Sequence, residues 1–356
     1  MSEGDAQALR HSEYALVSAN DIDAERLVNF ASRVWHDRPP YDRILSSWWR
    51  HASSDCAVAL VHQPTGAMVG LCAGRPSEWI IGGQAHPAVS ICDFFIDPHH
   101  GGKLLGRRLL RTFEAPGRFV NAISISDVAA AYVRRMGWRG PYASSLMVMP
   151  LPLFARIGHS LMVGQAELAL KDYAISGGQM PETLKADLDR IDAITAHDAS
   201  AHMRRGSNEW LWHLSIYPDR IYRFCVAYRN REPVGYVATR RMTAGRSRQI
   251  GRLQGAVITD LVAVHDDPLA LRALGARAVA MAAELRAVLA LFVTTALSHR
   301  RALAALGFVA PDFPVLGRFI QRRAPTYMWL PRGPGAALTA DGMTMTFADS
   351  AVDLDL

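Results

Sequence analysis

The chain has 356 residues, half of them apolar and a fifth charged, with a formal net charge of +6 at pH 7. That composition excludes a disordered or fibrous chain, and the length leaves room for two domains. No stretch reaches the roughly 20 uncharged apolar residues of a bilayer crossing, the acidic, polar start is unlike a secretory signal, and Cys56, Cys72, Cys92 and Cys225 lack metal-like spacing. A cytoplasmic protein with reduced core thiols and no membrane insertion is expected. The positive charge suits an anionic ligand; the arginines are dispersed and no zinc-finger or helix-turn-helix signature is present, which argues against DNA.

In chain order, Tyr14–Val17 reads as a strand. Asp21–Trp35 reads as an amphipathic helix, with Ile22, Leu27, Phe30, Ala31 and Val34 on one side, and Tyr41–Arg50 as a second, tryptophan-bearing helix. Cys56–His62 and Met68–Gly74 form a hairpin around Pro64-Thr65-Gly66, and 76–88 is a loop. Val89–Ile96 is a buried strand, Phe119–Ile125 the next, Asp127–Met136 a helix closed by Gly137, and Ser144–Met149 the last strand of the first half. Pro150–Ile175 reads as more helical, and Ser176–Pro181 as the softest boundary. The pattern then begins again: helices at Leu184–His197 and Glu209–Leu214, a hairpin of Tyr222–Tyr228 with Pro233–Thr239, a strand at Ala256–Val264, a helix at Pro268–Ala287, a strand at Ala290–Thr295 and a short helix at His299–Leu306. The halves match element for element, as two copies of one domain. The expected boundaries are 1–150, a helical linker 151–183, 184–330, and a tail 331–356.

The segment Val89–Arg111 organises the first half. Its strand is broken by Pro98 and Gly101-Gly102, after which Leu104, Leu105, Leu109 and Leu110 alternate with Arg107, Arg108 and Arg111. A strand, a glycine-bearing turn and a helix aim backbone N–H groups at a phosphate, because the first helical donors lack internal partners and the helix dipole favours an anion there.

PHHGGKLLGRRLL at Pro98–Leu110, followed by AAAYVRRMGW at Ala129–Trp138, resembles the acyl-CoA loop and closing motif of the GCN5-related N-acetyltransferase (GNAT) superfamily, here in tandem. The loop is usually Arg/Gln-x-x-Gly-x-Gly/Ala; Gly101 stands at the Arg/Gln position, Leu104 at the first glycine and Gly106 at the second. The second half carries ITDLVAVHDDPLALRALGARAV and HRRALAALGF, where the phosphate turn has no glycines and Asp266-Asp267 brings negative charge. Asn208–Tyr222 and the end, MTFADSAVDLDL, look similar to tandem acetyltransferase-like proteins of bacterial cell-surface or polysaccharide pathways. The resemblance implies an α/β (α+β) chain of two GNAT-like domains, each a mixed, mostly antiparallel, splayed central sheet flanked by helices.

It also implies acetyl-CoA as cofactor and a small amine or amino sugar as acceptor. The backbone of Phe94, Phe95 and Ile96 would line the pantetheine arm. N–H groups of Gly101, Gly102, Lys103, Leu105 and Gly106 would meet the pyrophosphate, and Lys103, Arg107 and Arg108 would add charge. Direct transfer needs a base and an acid. Asp93 is the best carboxylate, sharing a face with Ile91 and Phe95 in strict alternation; His99 and His100 lie beside the loop, and Glu78 and His86 border the acceptor site. The family's acid is a tyrosine where Val133 stands here; Tyr132 is one residue earlier, and Ser126 or water is the alternative proton source. In the second half Leu303 fills that position, so this copy reads as a non-catalytic partner. Its Asp260 lies in the strand equivalent to that of Asp93. Trp210, Trp212, Tyr217 and Tyr222 either stack on a large acceptor or form core. Two other readings stay open: a binding or regulatory protein that has lost turnover, and an aminoacyl transferase using aminoacyl-tRNA. Monomer and homodimer are equally compatible, and no metal is required.

Overall fold

The computed structural model describes residues 13–35, 49, 56–100, 103–123, 125–151, 168–198, 201–216, 220–242, 254–310 and 326–346. Two compact units are present. The first draws on the chain through Glu78, on His86–Gly140 and on Met328–Ala337; the second draws on Trp79–Ala85, on Pro141–Tyr327 and on the chain from Leu338.

In chain order the elements are β1 (Tyr14–Ser18), α1 (Ala24–Val34), β2 (Ala57–His62), β3 (Ala67–Ile81), β4 (Gln84–Ile96), α2 (Lys103–Arg111), β5 (Phe119–Ile123), α3 (Asp127–Arg134), β6 (Arg139–Ala143), β7 (Ser145–Pro150), β8 (Ala169–Ile175), α4 (Glu182–Thr195), β9 (Ala201–Met203), α5 (Ser207–Ile216), β10 (Tyr222–Arg229), β11 (Glu232–Arg241), β12 (Gly255–Ala263), α6 (Pro268–Glu284), β13 (Leu289–Thr294), α7 (Leu297–Ala305), β14 (Thr326–Trp329) and β15 (Met343–Thr344). The first sheet has the order β1-β2-β3-β4-β5-β14-β6 and the second β7-β13-β12-β11-β10-β8. Each is mixed: β4 and β5 are parallel in the first sheet, as are β9 and β15, and β12 and β13 in the second, beside antiparallel strands.

Local chemistry accounts for the ends of these elements. Asp23 caps α1 by accepting from the N–H groups of Glu25 and Arg26, and Gly137, at φ +90°, closes the turn after α3. The Gly82-Gly83 pair, at φ +60° and +75°, makes a two-residue hairpin turn that only glycine enters without strain. Glu78 and His86 therefore lie on paired strands, and the long loop expected at 76–88 shrinks to that turn. The end of β3 pairs Trp79 with Met203 and Ile80 with His202 of β9, and β15 pairs Met343 with Ala201.

Several strands differ from expectation. Ser145–Pro150 is a strand, yet it belongs to the second sheet, antiparallel to β13 from Thr294↔Ser145 to Leu289↔Pro150. A strand from far down the chain, β14, instead sits between β5 and β6. The end of the segment read as helical, 169–175, is the edge strand β8 against β10. Most of the Tyr41–Arg50 helix, the 152–167 segment, Gly101, Gly102 and Tyr217 lie outside the described residues.

In the first unit a core of Val89, Ile91, Leu105, Leu109, Phe113, Ala130 and Val133 joins the sheet to α2 and α3. In the second, Ile258, Leu261, Leu271, Leu274, Phe292 and Leu303 join the sheet to α6 and α7, while Leu184, Leu188, Trp210, Tyr222 and Phe224 pack α4 and α5 on it. Trp210 and Tyr222 are thus core residues, 1% and 0% exposed.

Candidate active site

Strand β4 carries the organising irregularity. Val89 and Ile91 belong to the core beneath α2 and α3, and so do Phe94 and Ile96, which pack against it. In a regular strand, residues an odd number apart face opposite ways, so one residue is inserted at Cys92–Asp93, a bulge. Asp93 and Phe95 consequently share the opposite face, and Ile91 does not. Phe95 meets the rings of Phe30 and Trp35 there, and Trp49 Nε1 donates to Asp93 Oδ2 at 3.0 Å. The parallel pairing of β4 with β5 runs from Ala88↔Phe119 to Ile91↔Ala122. β5 ends at Ile123, so among the described residues Phe94–Ile96 have no rung on it; this stretch is where the splay implied by the resemblance would lie.

Asp93 is 2% exposed. Its charge is felt by Cys72, whose thiol is pushed well above its usual range, first by burial and then by Asp93 and Cys92. On the other face, the Tyr132 ring stacks on Phe94 with centroids 5.8 Å apart. Its hydroxyl lies over Gly106, where an added Cβ would stand 2.5 Å from Tyr132 Oη and 3.1 Å from Phe94 Cζ. A side chain at 106 would have to displace the Tyr132 hydroxyl. Burial raises the phenol, while the Arg107 N–H bond and the Arg107 charge pull it down; the net shift is upward, so the hydroxyl stays protonated at neutral pH.

The other candidates have local work. Ser126 caps α3 by accepting from Ala129 N–H at 3.3 Å. His99 is exposed, its N–H bound to Asp97 Oδ1 at 2.9 Å. His100 Nδ1 pairs with Tyr14 Oη at 3.1 Å, and Arg108 Nη1 donates to the Tyr14 carbonyl at 3.0 Å. Arg107 and Leu104 are exposed, and Leu105 is buried. The structure thus brings Asp93, Phe94, Phe95, Ile96, Gly106, Arg107 and Tyr132 to the end of β4 and its neighbouring helix start, and gives Ser126 and His99 capping and turn roles. Trp49, which holds Asp93, was not singled out from the sequence; the Trp48-Trp49 pair was its only signal. A separate cavity of about 460 Å³ opens on the α1 side, bordered by Arg26, Asn29, Arg33, Asp97 and His100.

The second unit repeats the geometry and closes it. Ala256 and Ile258, then Leu261 and Ala263, face its helix-covered core, and the register with β11 shifts between Ala238↔Asp260 and Thr239↔Ile258. Parallel pairing with β13 ends at Ile258↔Phe292. Past that rung the chain's own C-terminal segment enters. Thr346 bridges Thr294, Thr295 N–H donates to the Met345 carbonyl at 3.2 Å, and Thr346 Oγ1 donates to Asp260 Oδ1 at 2.8 Å. Asp260 also accepts from Tyr236 Oη at 2.6 Å and Leu261 N–H at 3.0 Å, and lies 3.4 Å from Arg205 Nε. At the start of α6, Asp267 accepts from Leu269 N–H at 2.8 Å and Ala270 N–H at 3.3 Å, taking the donors that a phosphate would need.

No protein-family model matches this sequence, and no curated protein does. Solved structures do. A GCN5-related N-acetyltransferase from Anabaena variabilis is similar with a TM-score of 0.56 at 13% identity, over 91% of this chain and 73% of that one. One from Kribbella flavida gives 0.54 at 13% identity, over 89% and 70%. A tandem GNAT protein from the clavulanic acid biosynthesis pathway gives 0.50 at 14% identity, over 89% and 97%. The chain has the GNAT superfamily fold, with two such sheets in tandem.

Proposed function

We propose that the first unit is an acyl-CoA-dependent N-acyltransferase that moves an acetyl group from acetyl-CoA to a primary amine of a small molecule or amino sugar, and that the second unit is a non-catalytic copy. The observation that carries this reading is the end of β4: beyond the Ile91↔Ala122 rung Phe94–Ile96 have no rung on β5 among the described residues, with Asp93 on one face and Tyr132 on the other. These residues fit the cofactor. Backbone N–H and C=O groups of Phe94–Ile96 would pair with an extended amide-bearing arm, and the first turn of α2 with exposed Arg107 would hold phosphates.

When bound, the acyl thioester supplies an electrophilic carbonyl carbon and a thiolate leaving group. Asp93 accepts the proton that the acceptor's ammonium must lose before its nitrogen forms the new C–N bond. Tyr132 Oη donates the proton taken up by the sulfur as the C–S bond breaks, and the second proton that the nitrogen sheds on becoming an amide restores the phenol through solvent. Trp49 holds the Asp93 carboxylate in place. In the second unit the same positions are spent on Thr346 and Asp267, which supports one cofactor site per chain.

Calorimetric titration with acetyl-CoA tests this, beside Gly106→Trp, which would drive Tyr132 off Phe94 and fill the helix start. One site per chain, lost in the variant, is expected. No binding by folded wild-type protein overturns the reading.

A further inference from the structure

Ser90 and Asn121 are Cα partners on one rung of the parallel ladder in the first unit. Paired residues project from the same face of a sheet, on strands about 4.8 Å apart. Because Val89 and Ile91 face the helix-covered core, Ser90 and Asn121 face the other way, and the bulge keeps Asp93 on that side with them. Ser90 is 3% exposed and Asn121 0%. Among the described residues, Ser90 Oγ, Asn121 Nδ2 and Asn121 Oδ1 have no hydrogen-bond partner. Folded proteins pair almost all such groups, because burial strips them of water.

The fold does not demand polarity here. In both units this is the rung just before the last one. In the second unit it is Val257↔Leu291, and both residues lie in an apolar cluster with Val148, Leu289 and Val293. The same position thus accepts an aliphatic pair that would leave nothing unsatisfied.

We infer that the Ser90–Asn121 rung is a recognition subsite for a hydroxyl group of the acceptor, which makes the acceptor an amino alcohol or amino sugar and not a plain alkyl amine. This rests on the acyltransferase reading and narrows it. The Asn amide donates through Nδ2 and accepts at Oδ1, and the Ser hydroxyl does both. A ligand hydroxyl also does both, so it answers all three orphan atoms in turn. An ammonium only donates and leaves Nδ2 unanswered; a carboxylate only accepts and leaves Oδ1 unanswered. On its own face of the sheet this is the last rung before Asp93, because Ile91 faces the core, and Ser90 stands roughly 7–10 Å along the strand from Asp93. A sugar-sized body with a hydrogen bond of about 2.8 Å at each end spans that distance.

The test compares glucosamine with cyclohexylamine by calorimetry, on wild-type protein and on Ser90→Val/Asn121→Leu, which carries the second unit's rung. Acetyl-CoA is titrated separately into both. Glucosamine is expected to bind wild type at least tenfold tighter than cyclohexylamine, and the ratio to fall near one in the variant while acetyl-CoA affinity is unchanged. Failure of wild type to bind either amine, a ratio near one in wild type, or the same ratio in both proteins overturns the subsite. The last result with a raised melting temperature in the variant would mean that the rung holds a structural water only. Loss of acetyl-CoA binding in wild type sinks the acyltransferase reading, while the amine ratio still reads the rung by itself. Should the double variant not fold, Ser90→Ala, which removes only a hydroxyl, is expected to reduce the ratio at least threefold; no reduction overturns the proposal.

Discussion

Asp93 and Asp260 occupy the same place in two sheets of one chain. Each is the second residue beyond the last parallel rung, Ile91↔Ala122 in one case and Ile258↔Phe292 in the other. Each receives an aromatic donor, Trp49 Nε1 or Tyr236 Oη. Asp260 also binds Thr346, Leu261 N–H and Arg205, and so ties the segment at Thr346 to its sheet.

The proposed base role of Asp93 and the structural contacts of Asp260 set opposite outcomes for one substitution. Asp93→Asn is expected to lower acyl transfer by about 10²–10⁴-fold, the range of a lost general base, with acetyl-CoA affinity nearly unchanged. Asp260→Asn brings an amide N–H₂ against a ring of donors and is expected to cost about 2–4 kcal/mol of stability, with the transfer rate per folded molecule retained. Urea denaturation and steady-state kinetics on both variants check the pair. A silent Asp93→Asn would remove Asp93 as the base.

Much of this was legible in the sequence, and what was not has a physical reason. The hairpins, the long helix from Pro268 and the repeat follow from periodicity and turn residues. The exchange of β7 and β14 was hidden because Ser145–Pro150 states by its alternation that it is a strand, but not which sheet edge it joins. The bulge was hidden because Val89–Ile96 is almost continuously apolar, so strict alternation put Asp93 beside Ile91. Its trace was present all the same, since the large residues shift from Val89 and Ile91 to Phe94 and Ile96. Asp267, whose negative charge is legible in the sequence, goes further and caps the helix itself.

The C-terminal segment makes a separate prediction. Thr346→Val keeps the shape and removes the hydroxyl given to Asp260 Oδ1, an oxygen that Leu261 N–H still reaches. A loss of about 1–2 kcal/mol is expected by urea denaturation. Acetyl-CoA stoichiometry should stay at one per chain, because Asp267 still occupies the α6 donors. A second site appearing in Thr346→Val would mean that the segment alone closes that slot.

Tyr132 and Gly106 form one unit, so their variants should behave alike. Tyr132→Phe keeps the ring on Phe94 and removes the proton donor; Gly106→Ala puts a methyl 2.5 Å from Oη and displaces it. Both are expected to reduce kcat by about 10–10³-fold with a change in melting temperature too small to account for it. Kinetics beside thermal denaturation separate the two effects. Unchanged kcat in Tyr132→Phe would hand the proton transfer to water.

His299 provides a pH signature for the second unit. It is 2% exposed, shares a hydrogen bond of 3.0 Å with Thr294 Oγ1, and is pushed down from its ordinary value of 6.5 to about 3, first by burial and then by the Arg205 charge. The unfolded chain therefore binds a proton below pH 6.5 that the folded protein refuses. Stability is full above that value and falls as the pH drops towards 3. Between pH 7 and pH 4.5 this single group should remove about 2–3 kcal/mol. His299→Gln cannot charge, so its urea midpoint should depend less steeply on pH across that window than the wild-type midpoint does. Equal slopes in the two proteins would mean that His299 is protonated in the folded state, against both its burial and the Arg205 charge.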